Sequence, residues 1–94
     1  MAIFEFEWDE NKRLSNVEKH GVDFFFAAHA FDGRPVYTFH SPRGGEDRWG
    51  TVARLDDGHC YLVIWTEREE RVRIISAHRA YDREIRAYRA LHHG

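Results

Sequence analysis

The feature that most constrains the fold is a series of three strand-length segments in the second half of the chain, separated only by short turns. Residues 48–55, 59–66 and 71–79 are rich in β-branched and aromatic residues, as strands are. Asp57-Gly58 is a strong hairpin signal, and residues 67–70 provide a second short turn. Segments joined this closely pair as antiparallel neighbours, because a parallel pair needs a long crossover. The series therefore predicts an antiparallel meander, to which residues 36–39 add a fourth strand.

The first third of the chain predicts one strand and two capped helices. Residues 3–8 alternate between two faces, one of them aromatic, which is typical of a short strand. Asp9 suits the N-cap of a helix that runs to about His20, and Gly21 suits its left-handed stop. Asp23 caps a second helix, which ends near residue 33.

A third helix is expected over residues 82–92, with Ile85, Tyr88 and Leu91 on its inner face. In the first helix, Leu14 and Val17 are expected to face inward. The order of elements is a strand, two helices, four antiparallel strands and a helix, which predicts an α+β fold with the helices packed on one face of the sheet. No repeat or linker interrupts residues 1–94, so we expect a single domain.

Composition excludes several classes of protein. A hydrophobic share of 43% and a charged share of 32% are those of a globular domain, not of a disordered segment. No apolar run is long enough to span a membrane, and the acidic start does not resemble a signal peptide. The single Cys60 excludes an internal disulfide, so we expect a cytoplasmic location. The seven histidines do not follow metal-binding spacings, so we expect no metal and no cofactor.

The last predicted strand carries an unusual number of basic residues. Strict alternation places Arg71, Arg73 and Arg79 on one face, and His78 with the apolar residues on the other. Arginine grips phosphate with two parallel hydrogen bonds, so a row of arginines points to nucleic acid. The net charge of −2 conceals this basic segment, because it averages two unlike halves. Residues 1–47 hold five Lys or Arg and nine Asp or Glu, whereas residues 48–94 hold nine Arg and seven Asp or Glu.

Several blocks of residues occur in order along nearly all of the chain: 6–12, 16–21, 24–31, Arg48, 66–68, 73–77, 79–80, Glu84 and Tyr88. In their order and spacing they resemble the BrnT family of bacterial toxins. The resemblance implies a fold similar to the RelE toxins and ribonuclease activity without a metal. It also implies neutralisation by a BrnA-type antitoxin with a ribbon-helix-helix part, through which the complex would bind operator DNA.

Two positions depart from the family pattern. His78 stands where the family usually has the first of two basic residues, which leaves one phosphate contact in doubt or else supplies an imidazole for acid–base chemistry. Tyr81 stands where the family usually has Thr or Ser as a helix cap. We therefore expect Asp82 or another carboxylate of the first turn to cap the last helix.

Cleavage of RNA without a metal needs a base for the 2′-hydroxyl, an acid for the leaving oxygen, and cations for the developing charge. The candidate RNA contacts are Arg48, Arg68, Arg71 and Tyr88. The candidate catalytic residues are Lys19, His20, Arg73, His78 and Arg79.

Each candidate also has a structural interpretation. Arg73 and Arg79 can pair with carboxylates, Lys19 and His20 can be C-terminal helix charges, and Tyr88 has the spacing of a core residue. The alternative function is a non-catalytic module whose basic face binds an acidic protein partner and co-represses transcription. In either case we expect the antitoxin to cover the arginine face. A third hypothesis, a regulatory domain for small anions, predicts a closed pocket.

Overall fold

The computed structural model describes residues 5–92, which form three helices and a five-stranded sheet. The strand order is β1-β5-β4-β3-β2, and the α+β prediction is confirmed. In chain order the elements are β1 (Phe6–Glu7), α1 (Glu10–His20), α2 (Phe24–Ala27), a 3₁₀ helix (Ala28–Phe31), β2 (Val36–His40), β3 (Trp49–Arg54), β4 (Cys60–Arg68), β5 (Arg71–Arg79) and α3 (Asp82–His92).

Strands β2 to β5 are the predicted meander, with each strand antiparallel to the next. Strand β1 lies on the other side of β5 and runs parallel to it, with Phe6 opposite Val72 and Glu7 opposite Arg73. The sheet is therefore mixed, which the sequence did not indicate. The predicted start of the first strand, Ile3 and Phe4, lies outside the described residues.

The predicted helix boundaries are confirmed by their caps. The Asp9 carboxylate accepts hydrogen bonds from the backbone N–H groups at the start of α1, and Gly21 ends the helix with a φ of 69°. Asp23 caps α2 in the same way. The carboxylate of Glu84 accepts a hydrogen bond from the Tyr81 N–H at 2.7 Å, so a carboxylate of the first turn does cap α3.

The sheet is covered on both faces, and each face has its own core. On the first face, α2 and the 3₁₀ helix pack on β3, β4 and β5 around Phe24, Val63 and Ile74. On the second face, α3 packs around Val52, Leu62, Cys60 and Tyr88. The expectation that all helices share one face is therefore wrong, because α3 lies opposite α2.

Three apolar residues expected to face inward are exposed. Leu14 and Val17 of α1 are 54% and 39% exposed, and Leu91 of α3 is 56% exposed. The residue that α1 buries is instead the polar Asn16.

Asn16 is buried because it completes the hydrogen bonding of the sheet edge. Its side-chain oxygen accepts from the Ala77 N–H at 3.1 Å, and its amide donates to the Ala77 carbonyl at 2.7 Å and to the Val22 carbonyl at 2.8 Å. Among the described residues, strand β1 pairs with β5 at Val72 and Arg73. Further along the same edge, Asn16 of α1 therefore supplies at Ala77 the hydrogen bonds that a neighbouring strand would otherwise provide.

A β-bulge in β5 changes which residues share a face. Ile74 pairs with Trp65 and Ser76 pairs with Ile64, so Ile75 is the extra residue. After the bulge the alternation is reversed. Ser76 and His78 therefore lie on the second face together with Arg73.

Candidate functional site

A groove of about 380 Å³ runs between α1 and the bulged part of β5. One side is formed by helix residues spaced three or four apart, which a helix places on a single face. The other side is the bulge residue Ile75 and its neighbour Ser76. The helix residues of the groove are Asp9, Asn11, Lys12, Ser15, Asn16, Lys19 and His20.

The groove carries both lysines of the chain, Lys12 and Lys19. They stand seven residues apart, two helical turns, so both point along the same face of α1. Within residues 5–92 neither lysine has a salt bridge, so both ammonium groups are available to an anion. The groove can therefore bind phosphate groups along its length.

His20, the last α1 residue that lines the groove, lies beside His78 of β5. Their ring centroids are 5.4 Å apart, and the ring of Tyr81 lies 5.0 Å from that of His78 on its other side. The Nδ1 atom of His78 lies 2.7 Å from the carbonyl oxygen of Arg79. Because a carbonyl only accepts, Nδ1 must carry the proton, which leaves Nε2 as the basic atom of the neutral ring.

Arg73 lies further along β5 on the same face and is held by Glu7. Its Nη1 donates to the Glu7 Oε2 at 2.6 Å, and the two side chains are 25% and 22% exposed. Arg71 pairs with Glu5 at 3.0 Å, a contact that raises the pKa of the guanidinium. These arginines are therefore ordered by carboxylates from β1, although each keeps donors that are not used in these contacts.

A second group of cations surrounds Glu46, just before β3. Arg48 donates through Nε to the Glu46 Oε1 at 2.8 Å, and Arg68 approaches the same carboxylate at 3.9 Å. The hydrogen bond from Arg48, together with the charges of Arg48, Arg68 and Lys12, lowers the pKa of Glu46. Lys12 thus connects the groove electrostatically to this group.

Of the candidates predicted from the sequence, Lys19 and His20 line the groove, and two of the others point away from it. Arg79 faces the first side of the sheet, opposite Tyr61, because the bulge reverses the alternation between Arg73 and Arg79. The expectation that these two arginines share a face is therefore wrong. Tyr88 is 7% exposed and packs in the second core, so its ring belongs to the structure of α3 and not to an open surface.

The bulge also corrects the expectation for His78, which strict alternation had placed opposite Arg73. Lys12 and Ser76 were not among the candidates predicted from the sequence. The spacing of Lys12 and Lys19 on one helix was the available signal for the first of them. The position of Ser76 depends on the bulge, which has no clear signature in the sequence.

Among residues 5–92 no three or more His, Cys, Asp or Glu side chains are grouped so that they could hold a metal ion. No helix within the same range is long and apolar enough to cross a membrane.

The chain is similar to known ribonuclease toxins. The sequence profile of the family described as "Ribonuclease toxin, BrnT, of type II toxin-antitoxin system" matches residues 8–84, which include the groove and both of its histidines. The fold is similar to the 1.1 Å crystal structure of the Brucella abortus ribonuclease toxin BrnT, with a TM-score of 0.69 and 24% sequence identity. The match covers 85% of this chain and 100% of the Brucella chain. No protein of curated function is significantly similar in sequence.

Proposed function

Since the chain belongs to the BrnT family of ribonuclease toxins of type II toxin–antitoxin systems, we propose that it cleaves RNA in the groove between α1 and β5. The cleavage needs no metal ion: the 2′-hydroxyl attacks the adjacent phosphorus and displaces the 5′-oxygen. The observation that carries the proposal is the pair of imidazoles, 5.4 Å apart, at the end of a groove lined by both lysines.

His78 is the general base of this reaction. Its Nδ1 donates to the Arg79 carbonyl, so the lone pair of Nε2 is free to take the proton of the 2′-hydroxyl. The same hydrogen bond fixes the orientation of the ring, which a catalytic base requires. His20, in its protonated form, gives a proton to the leaving 5′-oxygen.

The lysines stabilise the charge of the transition state. Lys19 stands one residue before His20 on α1, and lies beside the phosphate that the two histidines would hold. Lys12 lies two turns away and binds the next part of the RNA backbone. Arg73 is about 13 Å from His78 along the strand, because their partners Thr66 and Leu62 are four residue steps apart on β4, at about 3.3 Å a step. Arg73 therefore binds a neighbouring phosphate and not the scissile one.

Arg48, Arg68 and Arg71 extend the basic surface beyond the groove. Arg79 has no direct part in this arrangement, and its contribution is the carbonyl that orients His78. A BrnA-type antitoxin with a ribbon-helix-helix part is the proposed partner, and operator DNA is bound through it.

The test is cleavage of RNA by the purified chain, free of partner, in the presence of EDTA. We expect products that end in a 2′,3′-cyclic phosphate. His78→Ala and His20→Ala should each lower the rate by roughly 10²- to 10⁴-fold, the usual contribution of a positioned acid or base. The matched control is His59→Ala, because His59 is exposed in the β3–β4 turn.

Loss of activity in EDTA, or full activity of His78→Ala, would contradict the mechanism. One observation weighs against the non-catalytic alternative, in which a basic face binds an acidic partner: Arg71, Arg73 and Arg48 are already paired with carboxylates of the chain itself. That alternative predicts tight binding of the antitoxin by a protein that cleaves no RNA under any of these conditions.

A further inference from the structure

A second, larger groove lies on the first face of the sheet. It is separate from the groove between α1 and β5 in which we propose RNA cleavage, called the RNA groove below. Its volume is about 580 Å³, and it opens between the 3₁₀ helix and strands β2 to β5. The lining is mainly apolar, and its half-buried side chains include Phe31, Val36 and Trp65. The RNA groove lies at the β5 edge and continues onto the second face, so the two surfaces are separate.

The polar groups on the floor of this groove are already bonded to one another. The indole N–H of Trp65 donates to the Thr51 hydroxyl at 2.8 Å, and the hydroxyls of Thr51 and Thr38 are 2.9 Å apart. Small-molecule sites usually hold free polar groups that orient the ligand. This groove therefore offers its occupant mainly apolar contact.

The rim of the groove is acidic. Arg34 and Arg71 lie on it, but Arg34 pairs with Asp32 and Asp56, and Arg71 pairs with Glu5. Glu67 and Glu70, also on the rim, have no salt bridge within the part of the chain that the structure describes. The unbalanced charge at the rim is therefore negative.

We propose that this groove is a docking site for the antitoxin, and that it binds a segment in which apolar side chains stand beside Lys or Arg. The apolar side chains fill the groove and the basic residues pair with Glu67 and Glu70. This inference rests on the proposed function in one respect, that the protein partner is the antitoxin of the pair. It differs from the expectation that the antitoxin covers the arginine face, because those arginines already have carboxylate partners.

The acidic turn between β4 and β5 supplies a matched pair of variants. Glu69 and Glu70 are adjacent, both exposed, and both in the left-handed region with φ of 53° and 64°. Only Glu70 lines the apolar groove, whereas Glu69 lines a different depression beside Asp47 and Trp49. Glu70→Lys and Glu69→Lys therefore make the same change of charge at equivalent backbone positions.

The experiment measures binding of each variant to the antitoxin encoded with this chain, by titration calorimetry. It is repeated with overlapping peptides that tile the antitoxin. Glu70→Lys should weaken binding by roughly tenfold, because an attractive contact becomes a repulsive one, and Glu69→Lys should change it by less than about threefold. Thr38→Tyr, which places a ring at an exposed position that lines the groove, should weaken binding as well.

Hydrogen exchange gives an independent measure. In the complex, residues 30–36 and 65–72 should become protected. Wild-type binding by both Glu70→Lys and Thr38→Tyr would overturn the proposal. The proposal would also be overturned if the double variant Lys12→Ala/Lys19→Ala lost binding while the variants of the apolar groove kept it. That result would place the antitoxin on the RNA groove. A groove filled by a small apolar molecule while antitoxin binding stays unchanged would also overturn it.

RNA cleavage by the same variants separates this inference from the proposed function. Glu70→Lys and Thr38→Tyr should cleave RNA at the wild-type rate but resist neutralisation. A protein that binds the antitoxin through the groove and cleaves no RNA would refute the nuclease and leave the docking site intact. A protein that cleaves RNA, and whose Glu70→Lys and Thr38→Tyr variants are still neutralised normally, would refute the docking site and leave the nuclease intact.

Discussion

The two lysines of the groove should set the salt dependence of RNA binding. Each phosphate that a cation neutralises on a single strand contributes about −0.7 to the slope of log affinity against log salt. In the proposed mode of binding, Lys12, Lys19 and Arg73 would provide three such contacts along α1 and β5. The expected slope is therefore about −2.1 for the wild-type chain.

Replacing both lysines by alanine should remove two of the three contacts. Between 50 and 200 mM salt, the affinity of the wild type should fall roughly 20-fold, and that of Lys12→Ala with Lys19→Ala less than about threefold. The affinity of each single lysine variant should fall about sevenfold over the same range of salt. The fold should be preserved, because both positions are exposed on α1 and alanine is the strongest helix former.

The assay is fluorescence anisotropy with a labelled 2′-O-methyl RNA, which binds but offers no free 2′-hydroxyl for cleavage. The control is Arg89→Ala, an exposed position in the last turn of α3. That end of α3 contacts β2, since the His92 side chain bonds to the Val36 carbonyl, and β2 is the sheet edge opposite α1. An unchanged slope in the double variant, or an equal loss of slope in Arg89→Ala, would refute a binding groove on α1.

Two further predictions concern the scaffold. A Cβ added to Gly50 would overlap the Phe39 ring, so Gly50→Ala should lower the free energy of unfolding by about 1–2 kcal/mol in a urea titration. In a Phe39→Ala background the same change should cost nothing, and an equal cost there would contradict the contact. Hydrogen bonds from Arg34 lower the pKa of Asp32 from 3.8 to about 2, so the carboxylate stabilises the fold above pH 4 and this contribution is lost as the pH falls towards 2. The difference in urea midpoint between wild type and Asp32→Asn should therefore be smaller at pH 2.5 than at pH 5. A difference that is the same at both pH values would contradict this.

Local chemistry made the element boundaries predictable. Asp9, Gly21 and Asp23 act through hydrogen bonds and backbone angles within a few residues, so their effect can be read from the sequence. The same holds for Asp57-Gly58, where Gly58 adopts a φ of 85°. The meander followed from these turns.

The side on which each helix packs was less predictable, but one signal was present. Residues 61–65 form a continuous apolar run, which indicates a strand covered on both faces. That run excludes an arrangement with all helices on one side. The exposure of Leu14 and Val17 had no such signal, because Asn16 is buried to satisfy the edge of β5, a requirement that arises only in the folded sheet.

The composition of the candidate site depended on the bulge at Ile75. Moving a strand by one residue transfers every following side chain to the other face. The bulge therefore brings His78 to the face of Arg73 and takes Arg79 away from it. The sequence contained all three residues, but their faces depend on the pairing of β5 with β4.

The groove between α1 and β5 and the protected sheet edge have one structural cause. Within the part of the chain that the structure describes, β1 pairs with two residues of β5, and α1 then lies beside the edge where a longer strand would have continued. A helix packed beside a strand leaves space between its side chains and the bulged backbone, whereas a strand would have closed that space. Asn16 replaces the missing backbone hydrogen bonds, and the same face of α1 presents Lys12 and Lys19 to the groove. The cationic groove is thus a consequence of ending β1 early, and the bulge places His78 where that groove ends.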